Sequence, residues 1–180
     1  MTTLQRRGTA LATAALVAAL AAAAAVVTLV GGKALAPHAS GSEEYATWDP
    51  KTRTATLELI AGPFNFNGGS AGSVSFTVPG KANVVINFVN KDGTPHSAEV
   101  ISGEGPIPNQ AVDPAIPRAY TNKVQEGMPQ EATDVIKFTV PNSGKYRIFC
   151  GVPAHGLSGM WIWLNVEPTA KTASFGPTKP

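Results

Sequence analysis

Residues Cys150 to Trp163 read CGVPAHGLSGMWIW and join two segments that have the composition of β-strands. Tyr146 to Cys150 on one side and Trp161 to Val166 on the other are rich in aromatic and aliphatic side chains. Such residues favour strands, whereas the Gly and Pro residues between the two segments indicate a loop. The stretch therefore predicts two consecutive strands connected by a short loop at one end of a β-structure.

This loop carries a thiol, an imidazole and a thioether at regular spacing. Four residues separate Cys150 from His155, and four more separate His155 from Met160. A lone cysteine is often only a buried apolar residue, but the ordered triple in one loop favours a metal site. A blue copper ion takes two imidazoles and one thiolate in a near-trigonal plane, with a weak axial Met. The loop offers three of these four ligands, so a second histidine must come from elsewhere.

The second histidine is predicted to be His96. The chain has three histidines, and His38 lies in a Gly-, Ala-, Pro- and Ser-containing segment that is typical of a tether. His96 follows an apolar run and a Lys-Asp-Gly turn, and the next strand begins directly after it. Taken alone, His96 is better explained as a solvated loop residue. The need for one more nitrogen favours a copper site formed by His96, Cys150, His155 and Met160.

The rest of the chain predicts an all-β domain, because short apolar runs alternate with Gly, Pro, Asn and Asp. No helical periodicity is present beyond the N-terminal span. The region from Ser102 to Glu131 contains five prolines and is expected to be a long connection. The predicted strands are Thr54 to Ile60, Val74 to Val78, Val84 to Val89, Ala98 to Ile101, Val135 to Val140, Tyr146 to Cys150 and Trp161 to Val166.

The N-terminus predicts a membrane anchor. Arg6 and Arg7 precede an uncharged run over residues 8–32, which exceeds the ~20 residues that cross a bilayer. Basic residues before the span predict a cytoplasmic segment 1–7 and an extracytoplasmic domain behind a single-pass anchor. A cleavable signal peptide is the alternative, since Ala34-Leu35-Ala36 has the small-x-small form. The remaining organisation is predicted as a linker over 33–44, one domain over 45–167 and a disordered tail over 168–180.

Composition excludes several classes of function. The formal net charge is only +2, and no dense Lys/Arg cluster lies in the predicted domain, so nucleic acid is not an expected partner. One cysteine cannot form an intramolecular disulfide or a copper centre bridged by two thiolates. A copper enzyme needs further histidines for a catalytic ion, and this chain has none to spare.

Three motifs resemble the cupredoxins, and within them the sulfocyanins. These are Phe64 to Gly68 (FNFNG) before a Gly/Ser stretch, Pro95-His96 before a small polar residue, and the Cys150 to Trp161 loop. The resemblance covers Thr54 to Val166 and implies a Greek-key β-sandwich or barrel with one type 1 copper ion. Many cupredoxins have Asn after the first ligand His, whereas Ser97 stands here. We therefore expect weaker hydrogen bonding across the ligand loops.

The resemblance also implies a membrane-anchored, non-enzymatic carrier of single electrons in a respiratory chain. A quinol-oxidising complex or a cytochrome is the expected donor, and a terminal oxidase the expected acceptor. The edge of His155 is expected to reach solvent through a small apolar patch that includes Pro153, Ala154 and Leu157. Two alternatives remain: an exported copper chaperone or storage protein, and the electron-donor subunit of a copper enzyme.

Overall fold

The computed structural model describes residues 42–179, and the chain over this range forms two β-sheets packed face to face. One helical turn, α1, and ten strands make up the fold. Their bounds are α1 Ser42–Tyr45, β1 Ala46–Asp49, β2 Thr54–Gly62, β3 Asn65–Phe66, β4 Val74–Pro79, β5 Asn83–Asn90, β6 Glu99–Ser102, β7 Thr133–Thr139, β8 Gly144–Phe149, β9 Trp161–Glu167 and β10 Ser174–Pro177.

The first sheet has the strand order β1-β2-β5-β7, with β3 paired to β2. The second has the order β10-β4-β9-β8-β6. Two pairs are parallel, β2 with β5 and β4 with β9, and the other pairs are antiparallel. Parallel neighbours need crossover connections, so the chain passes repeatedly between the two sheets. The predicted all-β sandwich is confirmed.

Alternation along the strands places the core between the sheets. In β2 every second residue from Ala55 to Ala61 is fully buried, which is the period of a strand with one face turned inward. The apolar strand β5 lies between β2 and β7. The largest fully buried aliphatic and aromatic side chains are Leu57, Leu59, Phe66, Phe76, Ile86, Phe88, Ile148, Phe149, Ile162 and Leu164.

Each predicted strand is confirmed, with its bounds moved by one or two residues. The predicted disorder of the C-terminal tail is wrong for β10, which pairs with β4 from Ser174↔Thr77 to Pro177↔Val74. Its Phe175 ring lies 4.7 Å from Phe76 and 5.1 Å from Tyr45, measured between centroids. These contacts hold a segment whose own composition is too polar to indicate a strand. The last three residues of the predicted linker, 42–44, belong to the helical turn α1.

The segments 1–7 and 8–32 lie outside the described residues, as does most of the linker. Within residues 42–179 no helix has the length and hydrophobicity required for a membrane span. The predicted anchor therefore stays a prediction from sequence.

Candidate metal centre

The register of two neighbouring strands assembles the site. β6 and β8 are antiparallel, and Glu99 of β6 lies opposite Phe149 of β8. Antiparallel pairing places the residues before β6 beside the residues after β8. His96 therefore approaches Cys150, although 54 positions separate them in the chain.

Three side chains converge on one point. His96 Nδ1 lies 3.1 Å from His155 Nδ1, and Cys150 Sγ lies 3.5 Å from His155 Nδ1 and 3.9 Å from His96 Nδ1. Metal–nitrogen bonds of about 2.0–2.1 Å and metal–sulfur bonds of about 2.3 Å, as found for zinc, separate trigonal donors by roughly 3.5–3.8 Å. The two sulfur–nitrogen distances lie close to that spacing, and the distance between the two nitrogens is shorter than it. Within residues 42–179 these three form the only cluster of His, Cys, Asp and Glu suited to a metal ion.

Met160 stands at the same loop and is fully buried. Its backbone closes the loop, because Cys150 N donates to Met160 O at 3.0 Å and Met160 N donates to His155 O at 3.0 Å. His96, Cys150 and His155 thus come together, Met160 is buried in the same loop, and this donor set fits a type 1 copper site. His38 lies outside the described residues.

Asp92 fixes the orientation of the first imidazole, and sequence reasoning missed it. Its carboxylate lies 2.9 Å from His96 Nε2, and this bond lowers the pKa of Asp92. A carboxylate beside one ring nitrogen places the proton there and leaves the lone pair of Nδ1 for a metal. The sequence signal that could have identified Asp92 is an acidic residue four positions before a candidate ligand.

Ser97 bonds to both the cysteine loop and the long connection, and the expectation of weaker bonding than with Asn stays a prediction. Its hydroxyl donates to Val124 O at 2.5 Å and accepts from Gly151 N at 3.0 Å. Its backbone N–H points at Cys150 Sγ, 3.4 Å away. One short side chain therefore joins the histidine turn, the cysteine loop and the long connection, because the connection brings an acceptor to it.

Burial sets the protonation of the ligands in the absence of metal. Desolvation raises the pKa of the Cys150 thiol, against the lowering effect of hydrogen bonds from Ser97 and Val152. Desolvation also lowers the pKa of His155, with the nearby His96 adding to the effect. His155 is therefore held as a neutral ligand, and a metal must displace the thiol proton to bind.

An aromatic ring covers the histidines from outside. Phe64 meets His155 edge to face at 5.0 Å and His96 at 6.2 Å between centroids, while remaining 43% exposed. His155 is only 9% exposed, and beside it in the loop lie the exposed residues Pro153, Ala154 and Leu157.

The long connection between β6 and β7 forms a cover over the site. Ala111 N donates to Gly151 O at 2.8 Å, and Ala154 N donates to Asn109 O at 2.7 Å. A Cβ at Gly151 would lie 2.8 Å from Val124 O and 3.0 Å from the Ala111 methyl. The connection therefore packs directly on the backbone next to Cys150, and only Gly fits there.

Comparison with known proteins agrees with this geometry. The family model described as "Sulfocyanin (SoxE) domain" matches residues 45–175. The sulfocyanin of Sulfolobus acidocaldarius is 27% identical over 108 residues, which are 56% of this chain and 54% of that protein. The chain thus spans about half the length of this relative.

Solved structures of blue copper proteins are also similar. Auracyanin A of Chloroflexus aurantiacus, titled a "blue" copper protein, has a TM-score of 0.48 and 22% identity, covering 63% of this chain and 98% of its own. Rusticyanin of Thiobacillus ferrooxidans has a TM-score of 0.43 and 24% identity, covering 68% and 88%. The family model covers most of the chain and includes every ligand position. The chain therefore belongs to the sulfocyanins, a family of blue copper electron-transfer proteins with the cupredoxin fold.

Proposed function

We propose that this protein is a membrane-tethered carrier of single electrons and has no substrate turnover of its own. The observation that supports this most is the convergence of His96, Cys150 and His155 at 3.1–3.9 Å beside the buried Met160. Copper bound there supplies a one-electron couple. The described residues offer no second cluster for a catalytic metal, which favours a carrier over an enzyme.

The protein's own residues keep the site rigid through a change of charge. Ser97 joins both ligand loops, Asp92 holds His96, and the Cys150–Met160 backbone bond closes the loop. Ligands that are held by such bonds do not rearrange when the ion changes its charge, and orienting partners of this kind tune metal sites. Electron transfer then costs little structural reorganisation.

The surface near His155 is suited to short encounters. Pro153, Ala154, Leu157 and Phe64 are exposed apolar residues around a ligand whose ring comes close to the surface. Small contact areas are typical of redox partners that must separate quickly. A chaperone or storage protein requires exchangeable ligands, whereas the Cys150 thiol and His96 are fully buried.

The proposed location and partners rest on the sequence and the family resemblance. We propose that the apolar run over residues 8–32 anchors the chain in the cell membrane, with the copper domain on the extracytoplasmic side. A quinol-oxidising complex or a cytochrome then supplies the electron, and a terminal oxidase accepts it. Confinement to the membrane surface raises the concentration of the carrier near such complexes.

An absorption spectrum of the copper-loaded full-length protein tests the carrier function. We expect an intense blue colour that a mild reductant bleaches reversibly, and its loss in Cys150→Ser. A colourless copper(I) protein that releases its metal readily would instead support the chaperone.

The apolar docking surface is tested by rapid mixing of the reduced protein with oxidase-containing membranes. Leu157→Asp places a charge in the apolar patch and is expected to slow oxidation at least tenfold while leaving the spectrum unchanged. Val135→Asp is the matched control, because Val135 is 53% exposed and Leu157 60% exposed, yet Val135 lies on β7 in the other sheet. Equal rates for the two variants would contradict docking at this patch.

A further inference from the structure

Glu99 is a buried carboxyl group that has no role in the copper site described above. It opens β6, is 1% exposed, and lies opposite Phe149, the residue before Cys150. Its neighbours Ala98 and Val100 face the core, so Glu99 points to the other face of the sheet. There the connection between β6 and β7 covers it.

The carboxylate has little to stabilise its charge. Val112 N donates to Glu99 Oε2 at a long 3.3 Å, and this is the one side-chain hydrogen bond of Glu99 among the described residues. An ionised carboxylate without a close cation or several donors is costly in a protein interior. Burial, opposed by the bond from Val112 and assisted by the charge of Asp113, accordingly raises the pKa of Glu99 to about 7.

The other polar groups near Glu99 do not neutralise it. Asp113 carries the same charge, and Tyr120 pairs with Glu99 through the backbone. Arg147 lies on the same face of β8, but its guanidinium donates to the carbonyls of Ser102, Glu104 and Gly105. The protonation of Glu99 is therefore free to respond to another nearby charge.

We propose that Glu99 is a redox-linked proton site, which binds a proton when the copper centre is reduced and releases it when the centre is oxidised. This inference rests on the proposed one-electron function. On reduction the centre gains one electron from a reduced partner, and the Glu99 carboxylate takes one proton from water to become a carboxylic acid. The net charge of the protein is unchanged, and oxidation by the acceptor reverses both transfers.

Two physical links couple the sites. Strand geometry separates the Glu99 carboxyl and the copper ligands by on the order of 10 Å, on opposite faces of one sheet. A unit charge at that distance changes the proton affinity roughly tenfold at an effective dielectric constant of about 20. The second link is structural. The N–H of Val112 donates to Glu99, and the N–H of the preceding residue, Ala111, donates to Gly151 O beside Cys150.

The pH range follows from charge balance. A reduced centre, with one positive ion and one thiolate, has the same net charge as the metal-free site with a neutral thiol. The pKa of Glu99 in the reduced protein is therefore expected near the metal-free value of about 7. In the oxidised protein it is expected about one pH unit lower. Proton binding and electron binding affect each other equally, so the reduction potential falls as pH rises between the Glu99 pKa of the oxidised protein and that of the reduced protein.

Potentiometric titration of the copper-loaded full-length protein in detergent, from pH 5 to 9, tests the inference. A tenfold change in proton affinity corresponds to a fall of about 59 mV for one electron. Glu99→Gln should abolish this fall and keep the blue absorption. Glu104→Gln, an exposed carboxylate on the same connection, should retain it. A fall of equal size in Glu99→Gln, or a pH-independent potential in the unmodified protein, would overturn the inference.

A second measurement needs no variant. The infrared difference spectrum between reduced and oxidised protein, carrying ¹³C-labelled glutamate, should show a carboxylic-acid C=O band that grows on reduction near pH 6.5 and shifts with the label. Absence of that band would also overturn the inference. A protein without a reversible one-electron couple fails the proposed function, whereas a reversible couple without the pH dependence fails only this inference.

Discussion

Replacing Ser97 by alanine tests how the two ligand loops are held together. The hydroxyl of Ser97 bonds Val124 O at 2.5 Å and Gly151 N at 3.0 Å, and the side chain is fully buried. In Ser97→Ala the buried N–H of Gly151 loses its acceptor, which costs about 1–3 kcal/mol. Val124 is half-buried, so water can replace part of the second bond. We therefore expect the free energy of unfolding to fall by about 2 kcal/mol.

Urea denaturation of the metal-free protein, followed by tryptophan fluorescence, measures this loss. Ser158→Ala is the matched control, because Ser158 lies in the same ligand loop and its hydroxyl donates to Ala154 O at 3.0 Å in an exposed position. Such a surface substitution is expected to cost less than about 0.5 kcal/mol. Copper-loaded Ser97→Ala should stay blue, since all four ligands remain. Equal unfolding free energies for the two variants would refute the bridging role of Ser97.

Three further predictions concern the site and its surroundings. Asp92→Asn should weaken copper binding about 10–100-fold, because Asp92 orients His96 at 2.9 Å; competition with a chelator measures this, and Asp134→Asn, a half-buried carboxylate on β7 that accepts from Asn122 N, should leave the affinity unchanged. Phe64→Ala should increase the rate of copper release to a chelator, because the ring lies against both imidazoles; an unchanged rate would show that the ring does not shield them. Glu99 should stabilise the metal-free protein by up to about 3 kcal/mol more at pH 5 than at pH 8, because its pKa is raised from 4.5 to about 7 and the folded state binds more protons than the unfolded state in that range; urea titrations at both pH values should show this as a difference between the unmodified protein and Glu99→Gln, since the lowered pKa of His155 acts in the opposite direction in both proteins.

The sequence alone determined the ligand chemistry and most of the strands. Cys150, His155 and Met160 lie within 11 residues of one loop, so their proximity is a local property of the chain. His96 was identified by elimination among three histidines rather than by any measure of its distance from Cys150. The strands β2 and β5 were likewise predicted from local composition, with bounds within two residues of those observed.

Only the tertiary structure decided how the site is supported. The register Glu99↔Phe149 brings His96 to Cys150, and the bonds from Ser97 to Gly151 and Val124 join segments 27 and 54 positions away. The strand β10 forms because β4 offers it a pairing edge, not because its own residues favour a strand. The burial of Glu99 likewise depends on a connection that has no strand signal of its own. Local patterns record which side chains a segment carries, whereas pairing, covering and desolvation depend on residues that are distant in the chain.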